Sequence, residues 1–441
     1  MRRLPLLLTS FCALALLAGC GDRAILRPVQ STGPYPQLPK PFRPVVPTVN
    51  VASARGWPAG VGPEAAAGLQ VTEYAGGLAH PQSLLVLPNG DVLVAETADP
   101  GPDRGHEDHS VRGALMHSLT SDSGDNVRSA DRIMLLRDAD HDGVAEQRLP
   151  YIQGLQSPFG MALIGDTLYV ANADALVAYR YDPRATGITE PPREVTWLPA
   201  QRNQHWAKSL TAGPDGMLYV GVGANSNVGE HGLNEERERA AIWQVDPRTG
   251  RHSLYATGLR NPTTLAFRPG TNQLYAAVNE REMLGSDLVP DYLTRVQPGG
   301  FYGWPWSYYG GHIDMRVRPR RPDMMRRSLV PDYALGAHVA PLGIAFSQGQ
   351  RLGPNYENGI FVAQHGSWSR RPLSGYTIAF VRLEDGRPVG DPFDVLAGFV
   401  TPDRQHAMGR PAGVALARDG ALLVADDVGG RVWRISAARR D

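Results

Sequence analysis

Cysteine is almost missing from this 441-residue chain: the two present, Cys12 and Cys20, both fall within the first twenty positions. That excludes a disulfide framework and a cysteine-built zinc site from the rest of the chain. The c-type haem motif C-x-x-C-H does not occur, so any redox chemistry would pass its electrons to another molecule. Net charge is missing too. The chain balances 44 Lys and Arg against 44 Asp and Glu, so it has no global field to hold nucleic acid. The longest apolar run, residues 4–17, is shorter than the roughly 20 residues a membrane-spanning helix needs. A glycine-rich nucleotide loop and a G-x-S-x-G elbow are also absent.

Glycine (49) and proline (37) are abundant, and hydrophobic residues make up 42%. Turn formers spread among short apolar runs predict an all-β protein with a substantial core. At the start, Arg2 and Arg3 precede the apolar run, and Leu17-Ala18-Gly19-Cys20 follows it. A charged start, a short apolar stretch and a small-residue cleavage site describe a secretory signal. The four-residue sequence resembles the bacterial lipobox. That implies cleavage before Cys20, a lipid on its sulfur, and a periplasmic or cell-surface protein whose membrane contact is the anchor alone. The expected organisation is a signal peptide at 1–19, a Pro-rich extended tether at 20–60, and one catalytic domain at 61–441.

Six times along that domain an apolar run, a tight turn and a second apolar run recur. The pairs are 83–87 with 92–95, 159–164 with 167–171, 206–212 with 217–222, 265–267 with 274–278, 341–346 with 359–363, and 414–417 with 421–425. Turns such as Asn89-Gly90 and Asp215-Gly216 are hairpin signals, because these residues tolerate positive φ. Further strands are expected at 132–136, 176–181, 241–245, 377–383 and 432–435. A blade of this kind cannot bury both faces alone, and packing around an axis solves that. The expectation is a six-bladed β-propeller of four-stranded blades, with its largest insertions at 98–130 and 284–338.

In such a wheel the segments before the inner strands converge on one mouth, and several carry chemistry. His205 precedes the third inner strand and can accept a proton near neutral pH; a structural histidine is the competing reading. Arg260, with Asn261, holds the same place in the fourth copy and offers a cationic fork, unless it braces loops. His365, Trp368 and Arg370 follow the fifth copy and could cradle a flat anionic cofactor by charge and stacking. Arg410 precedes the sixth inner strand, with a salt bridge to Asp426 or Asp427 as the rival. Asn279 and Glu280 present oxygens suited to calcium, though the spacing alone favours a solvated loop. Asp138, Asp140 and Asp142 begin a D-x-D-x-D-G loop, but Leu149 stands where the twelfth-position Glu belongs. An acidic hairpin turn is the better reading, with a peripheral calcium as the alternative.

Together these segments resemble a family. His205-Trp206-Ala207-Lys208-Ser209-Leu210, Gly258-Leu259-Arg260-Asn261-Pro262 and Gly299-Gly300-Phe301-Tyr302-Gly303-Trp304-Pro305 resemble the soluble glucose and aldose dehydrogenases that use pyrroloquinoline quinone (PQQ). Asn279-Glu280-Arg281, His365-Gly366-Ser367-Trp368 and Gly409-Arg410-Pro411-Ala412-Gly413 resemble the L-sorbosone dehydrogenase branch. The resemblance implies PQQ and calcium as cofactors, a sugar or sugar-derived aldehyde or alcohol as substrate, and an external electron acceptor. His205 would be the base and Arg260 the stabiliser of developing charge. Asn261, His365, Trp368, Arg370 and Arg410 would hold PQQ, and Asn279 and Glu280 the calcium. The chain departs from the glucose dehydrogenases at Gln204, where they have Asp, and at Ala412, where they have a second arginine. Two other readings stand beside this one: a calcium-dependent propeller lactonase and a non-catalytic binding propeller.

Overall fold

The computed structural model describes residues 22–42, 48–100 and 127–438. The expected signal peptide and the lipid-bearing Cys20 lie outside these residues, as does most of the 98–130 insertion.

Each expected apolar pair forms an antiparallel hairpin, and each hairpin extends outward into a four-stranded blade. Blade one is Pro81–Val86, Val92–Glu96, Arg132–Arg137 and Gln147–Gln153. Blade two is Met161–Ile164, Thr167–Ala171, Ala175–Arg180 and Arg193–Trp197. Blade three is Lys208–Ala212, Leu218–Val222, Ala241–Val245 and His252–Thr257. Blade four is Pro262–Phe267, Leu274–Val278, Pro290–Arg295 and Tyr333–Ala337. Blade five is Pro341–Phe346, Gly359–Gln364, Thr377–Glu384 and Arg387–Ala397, edged by the short strand Glu64–Ala65. Blade six takes three strands from the C-terminal end, Pro411–Leu416, Leu422–Asp426 and Arg431–Ala437, and its outermost from Leu69–Gly76. Pairing the first long strand with the last closes the ring and leaves no unpaired seam.

The inner strands meet around the axis. A Cβ on Gly343 of blade five would lie 2.5 Å from the Ala412 carbonyl of blade six, and one on Gly413 would lie 2.5 Å from the Gln82 carbonyl of blade one. Only glycine permits backbones this close. Ser209 Oγ donates to the Pro262 carbonyl at 2.7 Å and Thr263 Oγ1 to the Pro341 carbonyl at 2.5 Å, tying blades three to four and four to five. Second strands such as Leu218–Val222 and Leu274–Val278 are buried along their whole length, because neighbouring blades cover both faces. They therefore read as unbroken apolar runs. Outer strands such as His252–Thr257 are half-exposed.

Two expectations change. The 284–338 insertion contains the third and fourth strands of blade four, together with the small hairpin Ser307–Tyr308 and His312–Ile313 and the helix Pro322–Arg327. The expected tether is extended but not loose. Ser53–Ala54 pairs in parallel with His406–Ala407, and Gly33 forms a β-bridge with Ala334. Trp57 donates to Asp426 at 2.6 Å and packs edge-on against Trp433 and Phe399. Backbone N–H groups of Ser53 and Arg55 donate to the carbonyls of Gln405 and Ala407. No helix among the described residues is long and apolar enough to cross a membrane.

Candidate active site

One end of the ring collects two sets of loops, those entering the inner strands and those leaving the second strands. Every expected site residue within the propeller falls in one of these loops.

His205 leads into blade three, and its Nδ1 lies 2.5 Å from the Ala224 carbonyl oxygen. A carbonyl can only accept, so Nδ1 carries the proton and the neutral ring keeps its lone pair on Nε2. Burial and then the charge of Arg260 hold this imidazole well below its ordinary pKa, outweighing the opposing bond to Ala224. The ring is thus a neutral acceptor. Ala224 N–H donates to the Arg260 carbonyl at 2.7 Å, which sets the two loops side by side. A Cβ on Gly223 would touch both Asn261 Oδ1 and His205 Cβ at 2.5 Å, so Asn261 belongs to the same corner. Trp206 meets Phe159 edge-on at 6.1 Å, forming an apolar wall from blades two and three.

Arg260 is buried, with Nε donating to the Asn227 carbonyl (3.2 Å) and Nη1 to those of Asn279 (3.3 Å) and Glu280 (2.9 Å). Among the described residues no acceptor meets Nη2. Among the described residues the fork is braced through Nε and Nη1. Asn279 Oδ1 and Glu280 Oε1 are buried with no hydrogen-bond partner among the described residues. Glu280 Oε2 is committed to Arg281 at 3.0 Å, so Glu280 is only half available to a metal.

His365 Nε2 bonds Asp427 Oδ2 at 2.7 Å. Arg410 is buried with its guanidinium 5.4 Å from the Tyr376 ring centre. The rival pairing with Asp426 takes a different form: Asp426 accepts from the Arg410 backbone N–H at 2.8 Å and from the indoles of Trp57 and Trp433. Arg370 is buried, its guanidinium facing Asp287 (3.6 Å) and donating to the Pro372 carbonyl (2.8 Å).

Several residues were not singled out by the sequence. Lys208, fully buried, donates Nζ to Asn203 Oδ1 and to the carbonyls of His205 and Trp206, fixing the loop that presents His205. Glu282 stands between Arg260 and Trp368. Burial pushes its carboxyl up to about 7 against the pull of Arg260, a bond from Trp368, and Arg316. Gln82 Nε2 joins Asp427 at 2.8 Å, with His80 Nε2 3.7 Å from the same oxygen. The Asn279-Glu280-Arg281 run pointed at the Glu282 loop but not at Glu282, and nothing in spacing pairs residue 82 with 427.

At the other end of the ring, Asp138, Asp140, Asp142 and Glu146 gather their carboxylates within 4.8 Å of one another. They accept the N–H groups of Ala139, Asp142, Gly143 and Val144, as an acidic hairpin turn does.

The model of the domain of unknown function DUF7133 matches residues 69–367, and a TrAA12-like model matches residues 324–438. An uncharacterized protein of Borreliella burgdorferi is 26% identical over 294 residues, 64% of this chain and 76% of its own. Among solved structures, the calcium structure of the Trichoderma reesei carbohydrate-active enzyme of family AA12 superposes with a TM-score of 0.69 at 17% identity, covering 89% of this chain and 100% of that one. The holo PQQ domain of pyranose dehydrogenase from Coprinopsis cinerea superposes with a TM-score of 0.67 at 17% identity, covering 88% and 100%. At such identities the likeness is one of fold.

Proposed function

The chain belongs to the family defined by the domain of unknown function DUF7133, and from that premise we propose that it is a PQQ- and calcium-dependent oxidoreductase of a sugar or a sugar-derived aldehyde or alcohol. The observation that carries this reading is the His205 imidazole, fixed on the Ala224 carbonyl through Nδ1 so that Nε2 keeps its lone pair, with the buried Arg260 guanidinium near enough to help keep the ring neutral. The likeness to propellers whose names include PQQ and calcium supports it.

The residues present fit such a cofactor pair. Arg260, Arg410 and His365 offer positive or hydrogen-bonding edges to a flat anion, and the Trp368 ring offers a face. Asn279 Oδ1 and Glu280 Oε1, two buried oxygens without partners, suit a hard cation. When bound, the quinone would supply the acceptor for the substrate's hydride, and calcium a Lewis acid. His205 Nε2 removes the proton from the substrate hydroxyl. Arg260 Nη2 donates to the oxygen on which negative charge develops. Lys208 holds the His205 loop still, and the Phe159–Trp206 wall excludes water on one side.

The test is to add PQQ and calcium to the full chain and follow reduction of an artificial electron acceptor with aldoses and aldehydes. Dye reduction that disappears in His205→Ala or on calcium removal supports the proposal. Lactone hydrolysis without PQQ, or no PQQ binding at micromolar concentration, overturns it.

A further inference from the structure

Residues 22–42 begin and end at the rim that carries the candidate site. The Asp22 carbonyl accepts Ser286 Oγ at 3.1 Å, and its carboxylate accepts the Ser286 N–H. Ala24 N–H donates to the Arg371 carbonyl at 2.8 Å, Ile25 N–H to Asp287 Oδ2 at 2.6 Å, and Phe42 N–H to the Leu284 carbonyl at 2.9 Å. Leu284, Ser286 and Asp287 lie in the loop that also holds Asn279, Glu280 and Glu282; Arg371 lies in the loop of His365 and Trp368. Between its ends the segment runs along the outer strand of blade four through Gly33 and Ala334.

A segment so firmly held presents the wrong surface for water. Ile25 is 81% exposed, Tyr35 94%, Val29 55% and Phe42 51%. Arg23, Arg27 and Lys40 are exposed on the same segment, and its one acid, Asp22, is turned to Ser286. Exposed apolar and aromatic side chains interleaved with cations fit the headgroup region of an anionic bilayer, although the chain as a whole is neutral. In the sequence, Cys20 of the lipobox-like run is separated from Asp22 by Gly21 alone. Two residues span at most about 7 Å, so a lipid on Cys20 would enter the bilayer next to this surface.

We propose that residues 22–42 dock on an anionic lipid bilayer and hold the site-bearing rim beside it. The proposal does not depend on the dehydrogenase reading, and its test needs no turnover. A full chain made in a host that lipidates it would have no thiol beyond its acylated Cys20, so one introduced cysteine can be labelled alone. Fluorophores at Gln37→Cys on the segment and at Arg248→Cys on the opposite rim are compared in vesicles of phosphatidylcholine with phosphatidylglycerol, with a quencher on the lipid headgroups. Strong quenching at position 37 and little at 248 is expected. That difference should be lost in the triple variant Arg23→Ser, Arg27→Ser, Lys40→Ser, and when phosphatidylglycerol is left out, with circular dichroism unchanged. Equal quenching at the two positions, a difference indifferent to both changes, or an intact chain with unmodified Cys20 overturns the proposal.

Discussion

His205 and Arg260 are bracketed by one residue: Ala224 accepts from His205 Nδ1 at 2.5 Å and donates its N–H to the Arg260 carbonyl at 2.7 Å. Residues 55 positions apart in sequence are thereby fixed as neighbours. The carbonyl decides the imidazole tautomer, and burial, with the Arg260 guanidinium second to it, keeps the ring neutral.

The first prediction concerns pH. Burial and Arg260 depress the His205 pKa below its ordinary 6.5, so the base form persists into mildly acid solution. The acid limb of kcat/KM should lie below pH 6.5. Arg260→Gln removes the opposing charge and should move that limb to higher pH while lowering the plateau. His205→Ala should lower kcat/KM by about 10²–10⁴ and leave PQQ binding intact. A limb that stays in place in Arg260→Gln would show that the two groups do not interact.

Gly223→Ala is a steric test of the same corner. The added methyl would stand 2.5 Å from both His205 Cβ and Asn261 Oδ1, closer than real contacts allow. One of the two must move, at a cost of about 1–3 kcal/mol. Turnover should fall well beyond what the change in denaturation midpoint explains. Wild-type turnover in this variant would mean that the placement of His205 is not critical.

How much of this was legible beforehand depended on where each residue sits in a blade. Inner hairpins were readable because second strands such as Leu274–Val278 are covered on both faces and must be apolar throughout. Pro290–Arg295 escaped notice because it buries polar groups with partners. Asp291 accepts the N–H groups of Glu280 at 2.7 Å and Ala340 at 2.8 Å, and no periodicity marks such a strand. The closing strand Leu69–Gly76 pairs with Arg431–Ala437, a link across nearly the whole chain that local pattern cannot contain. His205 and Arg260 stood out because they immediately precede inner strands. Gln82 and Asp427 matter through each other, which only the closed ring reveals.

Asp427 should be a structural keystone as well as a site residue. Burial raises its pKa, but His365, His80 and Arg410 outweigh that and hold it well below the usual carboxylate range. Because the folded value is depressed, its contribution is present above the unfolded value, near 3.8, and is lost as pH falls below it. Asp427→Asn removes the charge that His365 and Gln82 address at 2.7 and 2.8 Å. Stability near neutral pH should drop by about 3 kcal/mol or more, with the difference from wild type shrinking in acid. Urea denaturation at several pH values measures both effects, and a pH-independent difference would contradict the charge argument.

The last prediction ties the N-terminal segment to the site. Asn50 N–H donates to the Trp368 carbonyl and its Nδ2 to the Arg370 carbonyl, each at 2.8 Å, so one residue clamps the loop that presents Trp368 through its backbone and its side chain. Asn50→Ala keeps the backbone bond and deletes the other, a change of about 0.5–1.5 kcal/mol. If the clamp serves only the fold, the loss appears as a lower melting temperature alone. If it holds the Trp368 face for the cofactor, the same energy appears in the affinity for PQQ, up to about tenfold weaker, with KM for substrate unchanged once PQQ is saturating. Titrating PQQ by quenching of tryptophan fluorescence separates the two. The second outcome is expected, because Trp368 bonds Glu282 and Glu282 faces Arg260, so a displaced indole would disturb the electrostatics of the catalytic corner as well as its own ring.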